Sequence, residues 1–530
     1  MRHCMIQRLG VAMLSGWSLC LGAVIHVPDD APTIQAGLDS LRDGDTVVVA
    51  VGTYAEVLVA PPLRFTLRGD VIPDTGDYAR PVVDPSTLEH SVSALCLTLG
   101  QASHAVIEDM KFRNGPQMFP RDPEWTHGGI DCFASDLTLR RCLVDSVFYG
   151  LWSYRASSVI TLEDCQFRND SMTCIYGQTT GWHATDCAFS GQGDPMVLAG
   201  ARSQFFRCAF ADNRNGVLLQ AHGDSIDIRE CTFGPRDPYP GAAVYVSGFR
   251  GGIVDSYFSG LHTGYVIAVD VADTTSLLIS GNTFDSNFPS NAQTGTCIYV
   301  GCETCSNLGG PVMIRDNVFL NNISNQAAKA ISLVHTHADI RHNRFIQLGP
   351  LAEPTIEQNA DASPMEHVVM RDNWFDNVGV AARGPASMDA RWNWWGDASG
   401  PYHATRHTHG EGEEVQGNLQ FDPWYTDPSF YDVVSERPVP LPTQFSLSAY
   451  PNPFNGAVTL SLTPSHLLIV RVEMFDLLGR CVKEIWSGPV ATEKRFQIDG
   501  SDLTSGIYFV RVWEPIGNRT LALTKLVLLR

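Results

Sequence analysis

The chain has 530 residues, of which 18% are charged and 44% hydrophobic, and its formal net charge at pH 7 is −20. This acidic balance argues against a nucleic-acid-binding protein, because contacts to phosphate groups need clustered Lys and Arg. A chain of this length is too long for one compact core, so we expect several domains or an extended array of repeats.

The N-terminal 23 residues predict an export signal. Arg2 and Arg8 precede a mostly apolar stretch at residues 9–21, and small residues follow up to Ala23. This order is typical of a secretory signal peptide, and the apolar stretch is too short for a membrane anchor. We therefore expect cleavage near Ala23 and a protein that is secreted or displayed on the outer-membrane exterior. No later stretch predicts an integral membrane protein.

Residues 26–54 predict a cap on the end of a repeat array. Ile34, Leu38 and Leu41 have helical spacing, a turn follows at residues 43–45, and residues 47–50 predict a strand. A short amphipathic helix here would cover the open apolar end of the array.

A short phrase recurs along the middle of the chain: a small or polar residue, then any residue, then an aromatic one. From Phe112 to Trp395 it recurs in eleven steps over 283 residues, or about 26 residues per step, which is a solenoid period. The residues before the phrase alternate as in a strand, for example at 226–229, and turn-forming residues follow it. This pattern predicts an all-β solenoid whose short strands stack as parallel sheets.

The first residue of the phrase predicts a column of stacked side chains. Equivalent positions on successive coils lie about 4.8 Å apart, so polar side chains at a turn can hydrogen-bond along the axis and satisfy backbone groups. The phenylalanines of the phrase would fill the interior. The column changes from cysteine to asparagine along the chain: Cys142, Cys165, Cys187, Cys208, Cys231, Asn282, Asn317, Asn343, Asn373 and Asn393.

The cysteines of this column favour free buried thiols, although the exported compartment would also permit disulfides. An in-register stack holds side chains about 4.8 Å apart, whereas a disulfide needs Cβ atoms about 3.8 Å apart. Outside the column, Cys302 and Cys305, with Cys297 nearby, favour a loop disulfide over a zinc site, because a single CxxC lacks the other ligands.

Both ends of the array carry recognisable motifs. The start has the form VP…PTIQ…L…DGDTV.V..GTY, and the end combines NWWGDASGP at residues 393–401 with NLQFDPW at residues 418–424. The first resembles the N-terminal coil of pectin-lyase-like right-handed parallel β-helix proteins. The second resembles the closing coils of bacterial surface proteins in this group. The resemblance implies a right-handed parallel β-helix over residues 24–430 and implies no particular chemistry.

A second domain follows a proline-rich linker at residues 431–444. Residues 445–530 contain alternating strands separated by Gly, Pro and Asn, which predicts a small β-sandwich. Its phrases YPNPFN (450–455), MFDLLGR (474–480) and LTSGIYFVRV (503–512) are similar to those of the type A sorting domain of the type IX secretion system. This resemblance implies that the outer-membrane secretion machinery is a partner and that the protein reaches the cell surface.

No enzyme motif is evident in the sequence. A metalloprotease helix, a nucleophile elbow and a phosphate loop are all missing, as are the aspartate motifs of pectinesterases and polygalacturonases. Two histidine groups have spacings that a metal could use, but solvent-exposed turn histidines are the favoured interpretation: His335 with His337, and His403 with His407 and His409. We assign no metal and no cofactor, and leave Ca²⁺ open, because a lyase of this kind uses Ca²⁺-binding carboxylates beside a basic residue.

One strand of successive coils suggests a ligand-binding face. The aligned segments are GIDCF (129–133), GLWSY (150–154), CIYGQ (174–178), GVLLQ (216–220), AVYVS (243–247) and CIYVG (297–301). The second residue of each is apolar and points inward, so the third and fifth point outward. The outward residues are Asp131, Trp152, Tyr176, Leu218, Tyr245, Tyr299, Phe133 and Tyr154.

Aromatic side chains in a row on a solvated sheet suggest sugar binding, because sugar rings stack on aromatic faces. The candidate ligand-binding residues are Trp152, Tyr154, Tyr176, Tyr245, Tyr299 and Phe133. The alternative is that inserted loops, such as residues 115–128, cover the stripe. A catalytic group, if one exists, is expected beside it, with these candidates: Asp131, His127, Arg155 and His183.

These observations predict an exported, surface-displayed or secreted β-helix that binds polysaccharide or another extracellular polymer without chemistry of its own. One alternative is a polysaccharide lyase or glycoside hydrolase acting on an acidic polysaccharide. Another is a non-catalytic adhesive or structural spacer. The fold hosts all three functions and does not choose among them.

Overall fold

The structure is a computed structural model of the chain. It describes residues 22–529 apart from residues 71–79, 89–95, 101–102, 115–128, 134–135, 148, 155–158, 169–172, 191–195, 212–217, 248–249, 272–275, 288–294, 302–308, 323–328, 347–353, 360–366, 430–445, 464–467, 478, 491–493, 502 and 515–518. The signal peptide up to residue 21, the linker at 431–444 and the pair Cys302 and Cys305 therefore lie outside the described residues.

Each winding of the chain adds one strand to each of three parallel faces. In one winding these strands are Ile130–Phe133, Asp136–Arg140 and Leu143–Asp145, and each pairs in parallel with the equivalent strand of the next winding. Within the described residues, faces 1 and 2 form one sheet of 27 strands and face 3 forms a sheet of 13 strands. The predicted parallel solenoid is confirmed.

The faces are defined by the following strands. Face 1 contains Leu58–Ala60, Leu97–Leu99, Ile130–Phe133, Tyr149–Tyr154, Arg236–Ser247, Leu261–Asp270, Thr296–Gly301, Lys329–Val334, Ile356–Gln358, Val380–Gly384, Pro401–Tyr402 and Gly412–Gly417. Face 2 contains Val24–Val27, Asp45–Val49, Arg64–Gly69, His104–Glu108, Asp136–Arg140, Val159–Glu163, Arg250–Val254, Ser276–Ser280, Gly309–Arg315, Thr336–Arg341, Val368–Arg371 and Met388–Asp389. Three long strands belong to both faces: Thr173–Thr185, Met196–Phe206 and Leu219–Arg229. Face 3 contains Thr53–Tyr54, Val82–Val83, Lys111–Arg113, Leu143–Asp145, Gln166–Arg168, Ala188–Ser190, Ala209–Ala211, Thr232–Phe233, Tyr257–Ser259, Thr283–Asp285, Val318–Leu320, Arg344–Ile346 and Trp374–Asp376.

A column of aromatic rings from face 3 fills part of the interior. Neighbouring ring centroids are 4.7 to 5.5 Å apart along the series Phe167, Phe189, Phe210, Phe233, Phe258, Phe284, Phe319, Phe345, Phe375 and Trp395. Phe233 stacks on Phe210 at 4.8 Å and on Phe258 at 4.7 Å, with the planes parallel to within 5°. The backbone sets the distance between the rings, because it equals the spacing between strands.

A second column lies at the corner between faces 2 and 3. Each turn there holds one residue in the left-handed region, such as Asp316 at φ 56°, which Asp tolerates better than most residues. The backbone N–H of the next residue donates to the column side chain of the following winding. Asn282 N–H donates to Asn317 Oδ1 at 3.0 Å, and Asn317 N–H donates to Asn343 Oδ1 at 3.0 Å. The asparagine side chains thereby satisfy buried backbone groups.

Cysteine performs the same role in the earlier windings. Cys165 N–H donates to Cys187 Sγ at 3.5 Å, and Cys208 N–H donates to Cys231 Sγ at 3.4 Å. Ser256 joins the two halves of the column: it accepts from Cys231 N–H at 3.1 Å and donates its own N–H to Asn282 Oδ1 at 2.9 Å. The five column cysteines are free thiols among the described residues.

A helix, Ile34–Asp39, covers the N-terminal end of the array. The Thr33 hydroxyl accepts from Ala36 N–H at 3.1 Å and caps the helix, and Ile34 and Leu38 are buried in the β-helix core. A 3₁₀ turn follows at Pro85–Thr87. At the other end, Trp395 stacks on Phe375 at 5.1 Å and ends the interior column.

The C-terminal part is antiparallel. One sheet contains Ser446–Tyr450, Ala457–Thr463 and Lys494–Asp499. The other contains Leu468–Phe475, Cys481–Val490, Gly506–Glu514 and Arg519–Leu528. Buried residues of both sheets, among them Leu460, Val472 and Val510, form its own core. Of the helices in the described part of the chain, none has the length and apolarity to cross a membrane.

Candidate ligand-binding surface

The strand register arranges alternate positions of face 1 into two rows, because alternate residues of a strand belong to opposite sides of the sheet. Row 1 is the series Asp131, Trp152, Tyr176, Val197, Gln220, Tyr245, Ala268, Tyr299, Ser332, Glu357, Arg383 and Gln416. Row 2 lies two residues further along each strand and is the series Phe133, Tyr154, Gln178, Ala199, His222, Ser247, Asp270 and Gly301.

The prediction that Leu218 belongs to the outward row was wrong. Leu218 is buried, and the register places Gln220 beside Tyr245. Leu218 and Leu219 are both apolar, so alternation alone could not fix the register of this strand. The alignment also omitted two windings, which contribute Val197 and Ala268 to row 1. The aromatic residues of face 1 therefore form two clusters and not one continuous stripe.

Cluster A consists of Tyr149, Trp152 and Tyr176. The rings of Trp152 and Tyr176 stack across neighbouring windings with their centroids 4.5 Å apart and their planes 28° apart. Tyr149 is buried and sets its ring edge-on to Trp152 at 4.7 Å. Trp152 and Tyr176 are half-buried, so each offers part of its ring to the surface. Sequence patterns identified these two residues but missed Tyr149, which precedes the alternating part of its strand.

Cluster B consists of Tyr245 and the contacting pair Tyr265 and Tyr299, and all three are half-buried. The rings of Tyr265 and Tyr299 are 4.9 Å apart and tilted by 40°. Tyr299 lies over Gly301, where an added Cβ would come within 2.4 Å of the tyrosine hydroxyl. Glycine at this position therefore leaves the space that the ring of Tyr299 occupies. Tyr265 was not among the predicted residues, because its winding was absent from the alignment.

Polar side chains lie between and beside the clusters. Gln220 Nε2 donates to His222 Nε2 at 2.7 Å, and the His222 ring is 5.7 Å from Tyr245. Asp270 accepts from the Tyr245 hydroxyl at 3.4 Å and from the Ser247 hydroxyl at 3.5 Å. Burial lowers the pKa of His222, and the carboxylate of Asp270 opposes this shift. The misaligned and omitted windings hid both His222 and Asp270.

Asp131 lies in row 1 and pairs in register with Trp152 on one side and with Thr98 on the other. Burial raises the pKa of its carboxyl from 3.8 to about 6, because desolvation disfavours the charged form. Phe133 occupies the neighbouring row 2 position and is half-buried. Tyr154 follows it in row 2.

Of the other proposed catalytic residues, His183 does not join Asp131. His183 lies on face 2, where it pairs with Thr161 and Gln204, and its Nδ1 is 2.8 Å from Gln204 Oε1. The long strand Thr173–Thr185 turns the corner before His183, and this bend was not evident from the sequence. His127 and Arg155 lie outside the described residues.

Ion pairs occupy row 1 beyond cluster B. Glu357 pairs with Lys329 on one side and with Arg383 at 3.1 Å on the other. Arg383 Nε also donates to Gln416 Oε1 at 2.9 Å. Glu357 therefore lies between two cations, and the polar end of face 1 differs from its aromatic middle.

Three histidines of the groups noted in the sequence contact backbone oxygens or another ring: His403, His407 and His337. His403 is buried with Nε2 3.0 Å from Gly417 O, and His407 Nδ1 is 2.6 Å from Pro401 O. His337 stacks on His367 at 5.8 Å. The described part of the chain contains no group of three or more His, Cys, Asp or Glu residues placed to hold a metal ion.

Two family models match the chain. Residues 128–383 match the model described as the right-handed beta helix region, and residues 448–526 match the model described as the secretion system C-terminal sorting domain. No curated protein matches the chain.

Solved structures with a similar fold share little sequence with this chain. The tailspike protein of E. coli bacteriophage HK620, in complex with a pentasaccharide, is 12% identical over 88% of this chain and 89% of that chain, with a TM-score of 0.33. PfbA, a surface adhesin of Streptococcus pneumoniae, is 12% identical over 76% of this chain and 90% of that chain, with a TM-score of 0.29. Matches at these scores support no argument about function.

Proposed function

Since this chain is a right-handed parallel β-helix protein with a C-terminal sorting domain of the type IX secretion system, we propose that it binds polysaccharide or another extracellular polymer on face 1. The sorting domain indicates export to the cell surface or secretion. The proposal adds a signal peptide at residues 1–23, cleaved on export, and delivery by the secretion machinery through residues 445–530.

The two outward aromatic clusters support this proposal most strongly. An exposed sheet face that serves only as a wall of the solenoid has no need of large rings. Polar or small side chains would expose less apolar surface to water there. Trp152, Tyr176 and Tyr299 instead lie on the outside of the sheet, only half-buried. Trp and Tyr combine an apolar face with a polar edge, which suits the CH-rich faces and hydroxyl groups of sugar rings.

The positions of the carboxylates favour binding over glycoside hydrolysis. A hydrolase needs two carboxyl groups about 5 to 9.5 Å apart across the scissile bond. In the described part of rows 1 and 2 from Asp131 to Tyr299, the carboxylates are Asp131 and Asp270. Six windings separate them, or about 29 Å along the axis. This separation supports a binding surface, and a spacer without a ligand is the outcome to be tested against it.

Retention on immobilised polysaccharides tests the proposal. The full chain and the double variant Trp152→Ala/Tyr299→Ala would be passed over a panel of neutral and acidic polysaccharides, and each flow-through assayed for new reducing or unsaturated ends. We expect retention of the wild-type chain on at least one polymer, its loss in the double variant, and no new chain ends.

Tyr450→Ala is a matched control, because Tyr450 is 82% exposed and belongs to the sorting domain. The immobilised polymer should retain the Tyr450→Ala variant as it retains the wild-type chain. New reducing or unsaturated ends would identify a hydrolase or a lyase instead of a binding protein. No retention on any polymer would leave the spacer function.

A further inference from the structure

Clusters A and B lie on one line along the helix axis. Trp152 and Tyr176 of cluster A and Tyr245 and Tyr299 of cluster B all belong to row 1. From Trp152 to Tyr299 there are six windings, or about 29 Å at the usual strand spacing. A ligand that touched both clusters would therefore run along the axis and across the strands.

The windings between the clusters supply no ring in row 1. Val197 and Gln220 occupy the two row 1 positions between Tyr176 and Tyr245. The gap between these two tyrosines is three windings, or about 14 Å. Gln220 and its hydrogen-bonded neighbour His222 line the end of this gap beside Tyr245. Row 1 thus alternates rings, a gap without rings, and rings again, which is an arrangement for a chain and not for a single small sugar.

The charges of rows 1 and 2 disfavour an acidic polysaccharide. Within the described residues of rows 1 and 2 from Asp131 to Gly301 there is no Lys or Arg, whereas Asp131 and Asp270 are both present. A uronic acid held here would place its carboxylate near these groups with no cation to compensate for the lost hydration. The nearest cations further along the face, Lys329 and Arg383, already pair with Glu357.

Asp270 suits a neutral sugar. Its carboxylate accepts from Tyr245 and Ser247 at 3.4 and 3.5 Å, which are long hydrogen bonds. A carboxylate has about four acceptor positions, so Asp270 can still accept from ligand hydroxyl groups. Bonds from sugar hydroxyls to an ionised carboxylate are stronger than neutral ones.

From these observations, and resting on the proposed function, we infer that face 1 binds a neutral polysaccharide chain along the helix axis and that the chain contacts both clusters at once. A pyranose unit in an extended chain advances by roughly one winding, so about four units are the shortest chain that reaches from Tyr176 to Tyr245. The contributions of two linked contacts to the binding constant multiply. A sugar chain that reaches both clusters therefore binds far more tightly than one that reaches a single cluster.

Oligosaccharides of graded length test this inference. Cello-, xylo- and manno-oligosaccharides from disaccharide to octasaccharide, and oligogalacturonates of the same lengths, would be titrated into the full chain by calorimetry. We expect one or more neutral series to bind, with affinity rising at least about tenfold between trisaccharide and heptasaccharide. Oligogalacturonates should bind more weakly at every length.

Single-cluster variants make the test specific. Trp152→Ala and Tyr299→Ala should each lower heptasaccharide affinity about tenfold, to the level of the trisaccharide, and the affinity should then cease to depend on length. Gly301→Ala should act like Tyr299→Ala, since its Cβ displaces the Tyr299 hydroxyl without removing the ring. Tyr450→Ala should leave all affinities unchanged.

The outcomes separate this inference from the proposed function. Binding that does not depend on chain length, or tighter binding of oligogalacturonate, would overturn the inference while polymer binding stands. Unchanged heptasaccharide affinity in a correctly folded Tyr299→Ala chain would do the same. If neither the neutral nor the acidic series binds, and no polymer retains the chain, both the inference and the proposed function are wrong.

Discussion

Asp131 shows how one side chain on an outward row can respond to pH. Its folded-state pKa of about 6 lies above the ordinary value of 3.8, because burial disfavours the charged carboxylate. Ionisation of Asp131 therefore lowers the free energy of unfolding. This penalty is absent below about pH 4, grows as the pH rises, and is complete above about pH 6.

Asp131→Asn should consequently stabilise the protein more at neutral pH than in acid, because the amide has no charge to bury. We expect the advantage of the variant to grow by about 2 kcal/mol between about pH 4.5 and about pH 7.5, from the size of the pKa shift. Urea unfolding of both chains at the two pH values measures it. An advantage of equal size at both would show that Asp131 is not desolvated.

At the scale of the element, the interior columns were predictable and the outer rows were not. The phrase that ends in Phe210, Phe233 and Phe258 recurs in every winding, so its repetition alone predicted both the ring column and its neighbouring column of Cys and Asn. The outer rows of face 1 have no such repetition. Because Leu218 and Leu219 are adjacent and both apolar, the sequence is compatible with two strand registers. Only the strand pairing in the structure distinguishes them.

Phe319→Ala tests the ring column. Phe319 is fully buried and stacks on Phe284 at 4.7 Å and on Phe345 at 4.8 Å. Removing it leaves a cavity between two rings that the strands hold in place, so we expect a loss of about 3–5 kcal/mol of unfolding free energy. Equilibrium denaturation measures it. A loss below about 1 kcal/mol would mean that the ring is not in the core.

Asn317 tests the equivalence of cysteine and asparagine in the other column. Asn317 Oδ1 accepts from Asn282 N–H at 3.0 Å, while its Nδ2 donates to Ile279 O at 2.9 Å. Asn317→Leu keeps the number of side-chain heavy atoms and the branch at Cγ but removes the hydrogen bonds to these backbone groups, at about 1–3 kcal/mol for each. Asn317→Cys keeps a small acceptor of the kind that Cys187 and Cys231 provide.

We therefore expect Asn317→Cys to unfold at a higher temperature than Asn317→Leu, in the presence of a reductant. Differential scanning calorimetry of the two variants and the wild-type chain gives the order. The reverse order would mean that side-chain volume, and not hydrogen bonding along the axis, decides which residues fit this column.

At the scale of the whole molecule, one spacing governs both the core and the surface. The strand spacing that stacks Phe233 on Phe258 also sets Trp152 on Tyr176 at 4.5 Å. The planes of Phe233 and Phe258 are parallel to within 5°, whereas those of Trp152 and Tyr176 are 28° apart. The sequence predicted the coil, the cap and the sorting domain from motifs. It could not predict the gap without rings between the clusters, which arises from windings that have no aromatic residue in row 1.

A crystal structure of the full chain with a bound neutral heptasaccharide is the most direct test of polymer binding on face 1. We expect the sugar chain to run parallel to the helix axis, with units against Tyr176 and Tyr245 and a hydroxyl group bonded to Asp270. Density for the sugar on face 2 or face 3, or a chain lying along one strand, would contradict it.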